Sequence, residues 1–104
     1  MTDKELLELA AKAAGMRLNH QGQPTTGNYY DSADFNWNPL TDDGDALRLA
    51  VELGLELRMS SVFVIGAIPL YTDNEVFEPK NDDPYAATRR AIVRAAAAIG
   101  RRMG

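Results

Sequence analysis

The sequence predicts an α+β fold, an α/β/α sandwich in which three helices cover a small, mostly antiparallel sheet. Three observations carry this expectation. Apolar residues recur at helical spacing behind cap-forming residues in three stretches, near 3–14, 42–53 and 84–103. Between the second and the third lie three short runs of strand character, 55–59, 62–65 and 76–78, with connections too short for a parallel crossover. The middle run, Val62-Phe63-Val64-Ile65, is apolar at every position, so it asks for cover on both faces.

Taken in order, Thr2-Asp3-Lys4-Glu5 matches a capping box, with Thr2 at the N-cap and Glu5 three residues on. Leu6, Leu9, Ala10 and Ala13 then share one face, and Gly15 supplies a stop. Met16 to His20 alternates apolar and polar, which fits a short strand. Residues 21–38 are rich in Gly, Pro, Asn and Asp and carry Tyr29, Tyr30, Phe35 and Trp37. A connector of this length has a task or hides a strand, for which 28–31 is the candidate.

Pro39 keeps Asn38 extended, and Thr41 is the expected N-cap of the second helix, with Asp42 and Asp43 at its positive end. Ala46, Leu47, Leu49, Ala50, Val51 and Leu53 make it a widely buried helix closed by Gly54. Leu55 to Met59 alternates as a half-buried strand, and the sheet is expected to end on an edge strand at 76–78, stopped by Pro79. Asp83 and Pro84 then open the third helix as N-cap and N1. Tyr85, Thr88, Ile92, Ala95, Ala96, Ile99 and Met103 form its stripe, with Arg90, Arg94 and Arg101 nearly opposite Ile92.

A chain of 104 residues is expected to form one domain over 1–104. Cysteine is absent, which excludes disulfides and thiolate metal sites. No apolar run approaches the roughly 20 residues of a membrane span, and the first residues are too acidic for a signal peptide. A cytoplasmic protein with no membrane partner is expected. A net charge of −4 argues against a nucleic acid polymer as partner. Eight arginines still leave room for a small anion held by converging guanidinium groups.

Catalytic patterns are missing. His20 is the sole histidine, no nucleophile elbow surrounds Ser60 and Ser61, and no glycine-rich phosphate loop is present. Asp42, Asp43 and Asp45 resemble part of a calcium loop, but Gly44 is misplaced and Leu53 stands where the closing Glu belongs. No metal, no cofactor and no enzyme activity are expected. The aromatic cluster has two readings: rings that plug an end of the core, or a platform for a base or a protein partner.

Two segments, WNPLTDDGDALRLAVELGL at 37–55 and YAATRRAIVRAAAAIG at 85–100, resemble the phage α-β-α sandwich domain family of small phage and prophage proteins. In that family a Trp-Asn-Pro or Trp-Ser-Pro segment leads into a helix beside a sheet, and an Arg- and Ala-rich helix follows. This chain departs from the pattern near the end of that helix, where the usual acid is replaced by Ala97 or Ala98. The resemblance implies the sandwich fold and a phage accessory protein acting in the host cytoplasm. Counter-defence proteins of that kind include sponges that sequester nucleotide-type immune signals, usually as homo-oligomers. On that expectation Asn28, Tyr29, Tyr30 and Trp37 would meet a base and Arg48, Arg58, Arg90 and Arg94 its phosphates. The alternative is an inhibitor that offers the aromatic loop 28–40 to a host defence enzyme.

Overall fold

The computed structural model describes residues 2–18, 24–25, 37–67 and 75–103. Within them the chain mixes helix and strand in the order α1 (Asp3–Ala13), β1 (Arg17–Leu18), β2 (Pro24–Thr25), α2 (Asp43–Leu53), β3 (Glu56–Met59), β4 (Phe63–Ala67), β5 (Val76–Pro79) and α3 (Pro84–Arg102). The strand proposed at 28–31 lies outside the described residues.

Helix α1 begins where the capping residues place it. Thr2 Oγ1 accepts from the Glu5 N–H at 3.1 Å, and the Thr2 hydroxyl donates to the Glu5 carboxylate at 3.2 Å. At its end Gly15 takes φ 73°, a left-handed conformation that only glycine adopts without penalty. The Met16 N–H then reaches Ala11 O and the Gly15 N–H reaches Lys12 O, the paired bonds of a Schellman stop. Helix α2 ends the same way at Gly54, with φ 64° and bonds from Leu55 N–H to Ala50 O and Gly54 N–H to Val51 O.

The start of α2 differs from the expectation. Its N-cap is Asp42, whose carboxylate accepts from the Asp45 N–H at 2.7 Å; Thr41 lies one residue outside. The preceding turn decides this. Thr41 and Asp42 both donate their N–H groups to Asn38 O, while Asn38 N–H is held by the Asp45 carboxylate at 2.9 Å. Pro39, inside that turn, is fully buried. Helix α3 starts on Asp83, which accepts from the Tyr85 and Ala86 N–H groups, with Pro84 at the first helical position.

Strands β3, β4 and β5 pair antiparallel in that order, with Leu57 opposite Gly66 and Gly66 opposite Val76. Strands β1 and β2 form a separate antiparallel pair. Strand β5 includes Pro79, which pairs with Phe63 at the very end of the ladder, where a missing N–H is tolerated.

One core joins the helices: Leu6 and Ala10 of α1, Ala46, Leu49 and Ala50 of α2, and Ile92, Val93, Ala96 and Ala97 of α3, closed by Trp37, Leu40, Leu55 and Leu57. On its other side α3 meets the sheet, where Val76 packs with Ala95. Helix α3 thus has neighbours on two sides, and its buried set is largely small residues, including Ala87, Ala91, Ala95 and Gly100. This corrects the expected stripe at both ends, since Tyr85 and Met103 are exposed. The wide burial expected of α2 is corrected too. Ala46, Leu49 and Ala50 are buried, but Leu47 and Val51, one turn apart on the outer row, are exposed.

A helix layer on each face of the sheet is not shown. Val76 is buried on the α3 side, whereas Phe77, the next residue and so on the opposite face, is 54% exposed. Among the described residues the helices pack on the Val76 side. The mixed helix and strand content expected from the sequence is present among the described residues.

Candidate functional site

The residues expected to bind a ligand are held in separate places. Asn28, Tyr29 and Tyr30, like His20, lie outside the described residues. Trp37 is half-buried against the three-helix core. Arg48 on α2 donates to Asp45 at 2.8 Å. Arg58 on β3 pairs with Glu75 and stands 3.7 Å from Glu56. Arg90 on α3 donates to Asp3 at 3.2 Å, and Arg94 pairs with Glu78 and bonds Phe77 O at 3.1 Å. Each of these four guanidinium groups therefore faces a carboxylate. The acids at the start of α2 are likewise engaged: Asp42 caps the helix, Asp43 pairs with Arg89, and Asp45 holds Arg48 and the Asn38 N–H. Among the described residues no group of three or more His, Asp or Glu side chains is placed to hold a metal ion.

A different surface stands out. Helix α2, strand β3 and the first turns of α3 enclose a groove of about 470 Å³. Its floor is apolar, made by Ala46 and Ile92, both buried, and by half-buried Leu57. Its rim carries three large side chains left to solvent: Leu47 at 61%, Met59 at 59% and Tyr85 at 70% exposure. A volume of this order is typical of ligand sites, and exposed apolar side chains gathered at one place mark contact surfaces more often than scattered ones do.

Local chemistry fixes each wall. Asp42 and Gly54 set where α2 starts and stops, and hence which of its faces meets the core. Leu57 and Met59 are two apart on β3 and so project to one side of the sheet. Asp83 and Pro84 place Tyr85 in the first turn of α3, ahead of the stretch that the core covers. The polar element is an ion pair along the wall. Arg89 Nε donates to Leu40 O at 2.9 Å and Nη1 to Asp43 at 2.6 Å, and its side chain is only 17% exposed. This bond ties α3 to the start of α2 across 46 residues of sequence. Lys80 also lines the groove, and its N–H donates to Val62 O at 2.8 Å. The Thr88 hydroxyl donates back to Pro84 O at 2.8 Å within α3.

Two other concavities are less suited to recognition. One of about 620 Å³ runs along α1, past Glu5, Glu8, Leu9, Lys12 and Met16; the other, about 320 Å³, is formed by the polar turn 78–83 and the start of α3. Neither gathers exposed large apolar side chains.

Sequence reasoning missed Arg89, Tyr85, Leu47 and Met59 as parts of one surface. A signal was present in α2. Six apolar positions spread over Ala46 to Leu53 cover more of the helix than a domain of this thickness can bury, so some had to face outward. Compared with models of protein families, with curated proteins and with solved structures, the chain has no match.

Proposed function

We propose that this chain is a non-catalytic binding protein that engages a protein partner through the groove between α2, β3 and α3. The observation that carries the reading is the concentration of Leu47, Met59 and Tyr85 around one apolar floor. Leaving three such side chains in water forgoes roughly 1.5–3 kcal/mol each relative to burial, a cost that an interface recovers. Tyr85 and Arg89 are also of the residue types that anchor interfaces.

Sequestration of a nucleotide-type signal is the weaker reading. Phosphates would have to displace Asp45, Glu75, Asp3 and Glu78 from Arg48, Arg58, Arg90 and Arg94, and those arginines are distributed over three elements. The phage setting, with action in host cytoplasm against a defence enzyme, rests on the two sequence segments that resemble the phage family. The complete α/β/α sandwich and a homo-oligomer belong to the same proposal, with the exposed Phe77 side of the sheet as the place for a further layer or a second copy.

The test is affinity capture from host lysate with the wild-type chain, Leu47→Ser and Tyr85→Ala. A partner kept by wild type and lost by both variants, at unchanged melting temperature, supports the groove. A partner retained by both variants overturns it. In parallel, a panel of cyclic nucleotides and ADP-ribose derivatives is expected to leave the melting temperature unchanged; a shift would return the assignment to the arginines.

A further inference from the structure

Resting on the groove as a protein-binding site, we infer that the partner segment it receives joins large apolar side chains to a carboxylate, and that Lys80 meets that carboxylate. The apolar half of this description follows from the floor of Ala46, Leu57 and Ile92 and the rim of Leu47, Met59 and Tyr85. The acidic half follows from the charged side chains that line the groove, which are Asp43, Lys80 and Arg89. Asp43 and Arg89 neutralise each other at 2.6 Å. One positive charge is left, and it belongs to Lys80.

The setting of Lys80 differs from that of the other cations. Lys4 and Lys12 stand exposed on α1, where water serves their ammonium groups, but Lys80 is half-buried. Its backbone is fixed at the end of the β4–β5 ladder, where its N–H donates to Val62 O at 2.8 Å. Arg48, Arg58, Arg89, Arg90 and Arg94 each face a carboxylate, whereas among the described residues no carboxylate lies within ion-pair distance of Lys80. Partial burial strips water from a charge, and an arriving opposite charge offsets that cost. Asp82 and Asp83 line the neighbouring concavity, which Lys80 also borders, but neither pairs with it; Asp83 caps α3 through the Tyr85 and Ala86 N–H groups. The net charge of −4 is spread over the whole chain and is screened beyond about 10 Å at 0.1 M salt, so it opposes a contact at Lys80 only weakly. A carboxylate suits the site better than a phosphate. Its single charge matches the single ammonium group, whereas a phosphate group brings roughly 1.5–2 negative charges beside Asp43, with Arg89 already engaged.

Selection from a displayed library of random dodecapeptides on the full chain tests this, with the enriched peptides then synthesised and titrated against variants. Peptides that depend on the groove, shown by weakened binding to Leu47→Ser and Met59→Ser, are expected to carry Asp or Glu beside large apolar residues well above the library frequency. Lys80→Gln, which keeps the backbone bond to Val62 and removes no ion pair, is expected to leave the melting temperature unchanged and to weaken these peptides roughly tenfold. With Lys80→Glu as the bait, the acid is expected to give way to Lys or Arg. Groove-dependent peptides without an excess of acid, or with affinity indifferent to Lys80→Gln, overturn the inference and leave the groove standing. Enriched peptides that ignore Leu47→Ser and Met59→Ser, or no enrichment at all, overturn the groove and the inference with it.

Discussion

Gly100 of α3 lies directly against the backbone of α1 at Leu9, and its replacement by alanine sets two effects against each other. A Cβ at this position would stand 2.0 Å from Leu9 O, 2.8 Å from Leu9 C and 3.2 Å from Leu9 Cα. All three are backbone atoms of a helix, so no side-chain rotation relieves the clash. The helices must part by roughly 1 Å or more at the crossing before the contact becomes an ordinary one, and a gap of that size forfeits a quarter to a half of each neighbouring dispersion contact. The contacts at stake are those of Leu6 and Ala10 with Val93, Ala96 and Ala97. Overpacking of this kind costs about 1–3 kcal/mol. Against it, alanine is favoured over glycine inside a helix by about 0.5–1 kcal/mol. The clash wins, and a net loss of about 1–2 kcal/mol is expected for Gly100→Ala, or roughly 5–15 °C in Tm for a domain of this size. Gly100→Leu is expected to prevent native packing. Urea denaturation followed by circular dichroism measures the loss, with the m-value unchanged for the alanine variant. A Tm equal to or above that of wild type would mean that helix propensity governs, and that α1 and α3 do not touch at Gly100.

Three further outcomes are expected. Asp42→Ala should cost about 1 kcal/mol by removing the α2 cap, while Thr41→Ala should stay within about 0.5 kcal/mol; equal losses in chemical denaturation would place the cap elsewhere. Arg89→Met should cost about 2 kcal/mol because it leaves Leu40 O without its donor, whereas Arg48→Met, at an exposed pair, should cost less than about 0.5 kcal/mol; reversal of that order would refute the role given to Arg89. Leu49→Ala should lose about 2–5 kcal/mol while Leu47→Ser leaves the denaturation midpoint nearly unchanged, and comparable losses would show Leu47 to be core.

Features written in neighbouring residues were legible from the sequence. Thr2 with Glu5, Asp83 with Pro84, and the glycines at 15 and 54 each act within one helical turn, and each stands where the sequence put it. The cap of α2 was misplaced by one residue because Thr41, Asp42 and Asp43 are all competent. The choice falls to the Asn38 turn and its bond to Asp45, seven residues away. Burial in α3 was harder to read. Periodicity shows which residues align, not how many neighbours a helix has, and alanine marks closeness rather than hydrophobicity when a helix is packed on two sides. The arginines were least legible, since Arg90 finds Asp3 across 87 residues and Arg94 finds Glu78 across 16. A guanidinium group looks available in a sequence until a fold brings an acid to it.

Helix α3 has a consequence for the order in which the molecule assembles. It is the chief neighbour of α1 on one side and the chief helix against β4 and β5 on the other. It also follows all of them in the chain. Before α3 is present the strands can pair with one another, but α1 lacks its main helical neighbour and the Val76 side of the sheet lacks its cover. The first helix thus meets the surface that covers it only about seventy residues further along the chain.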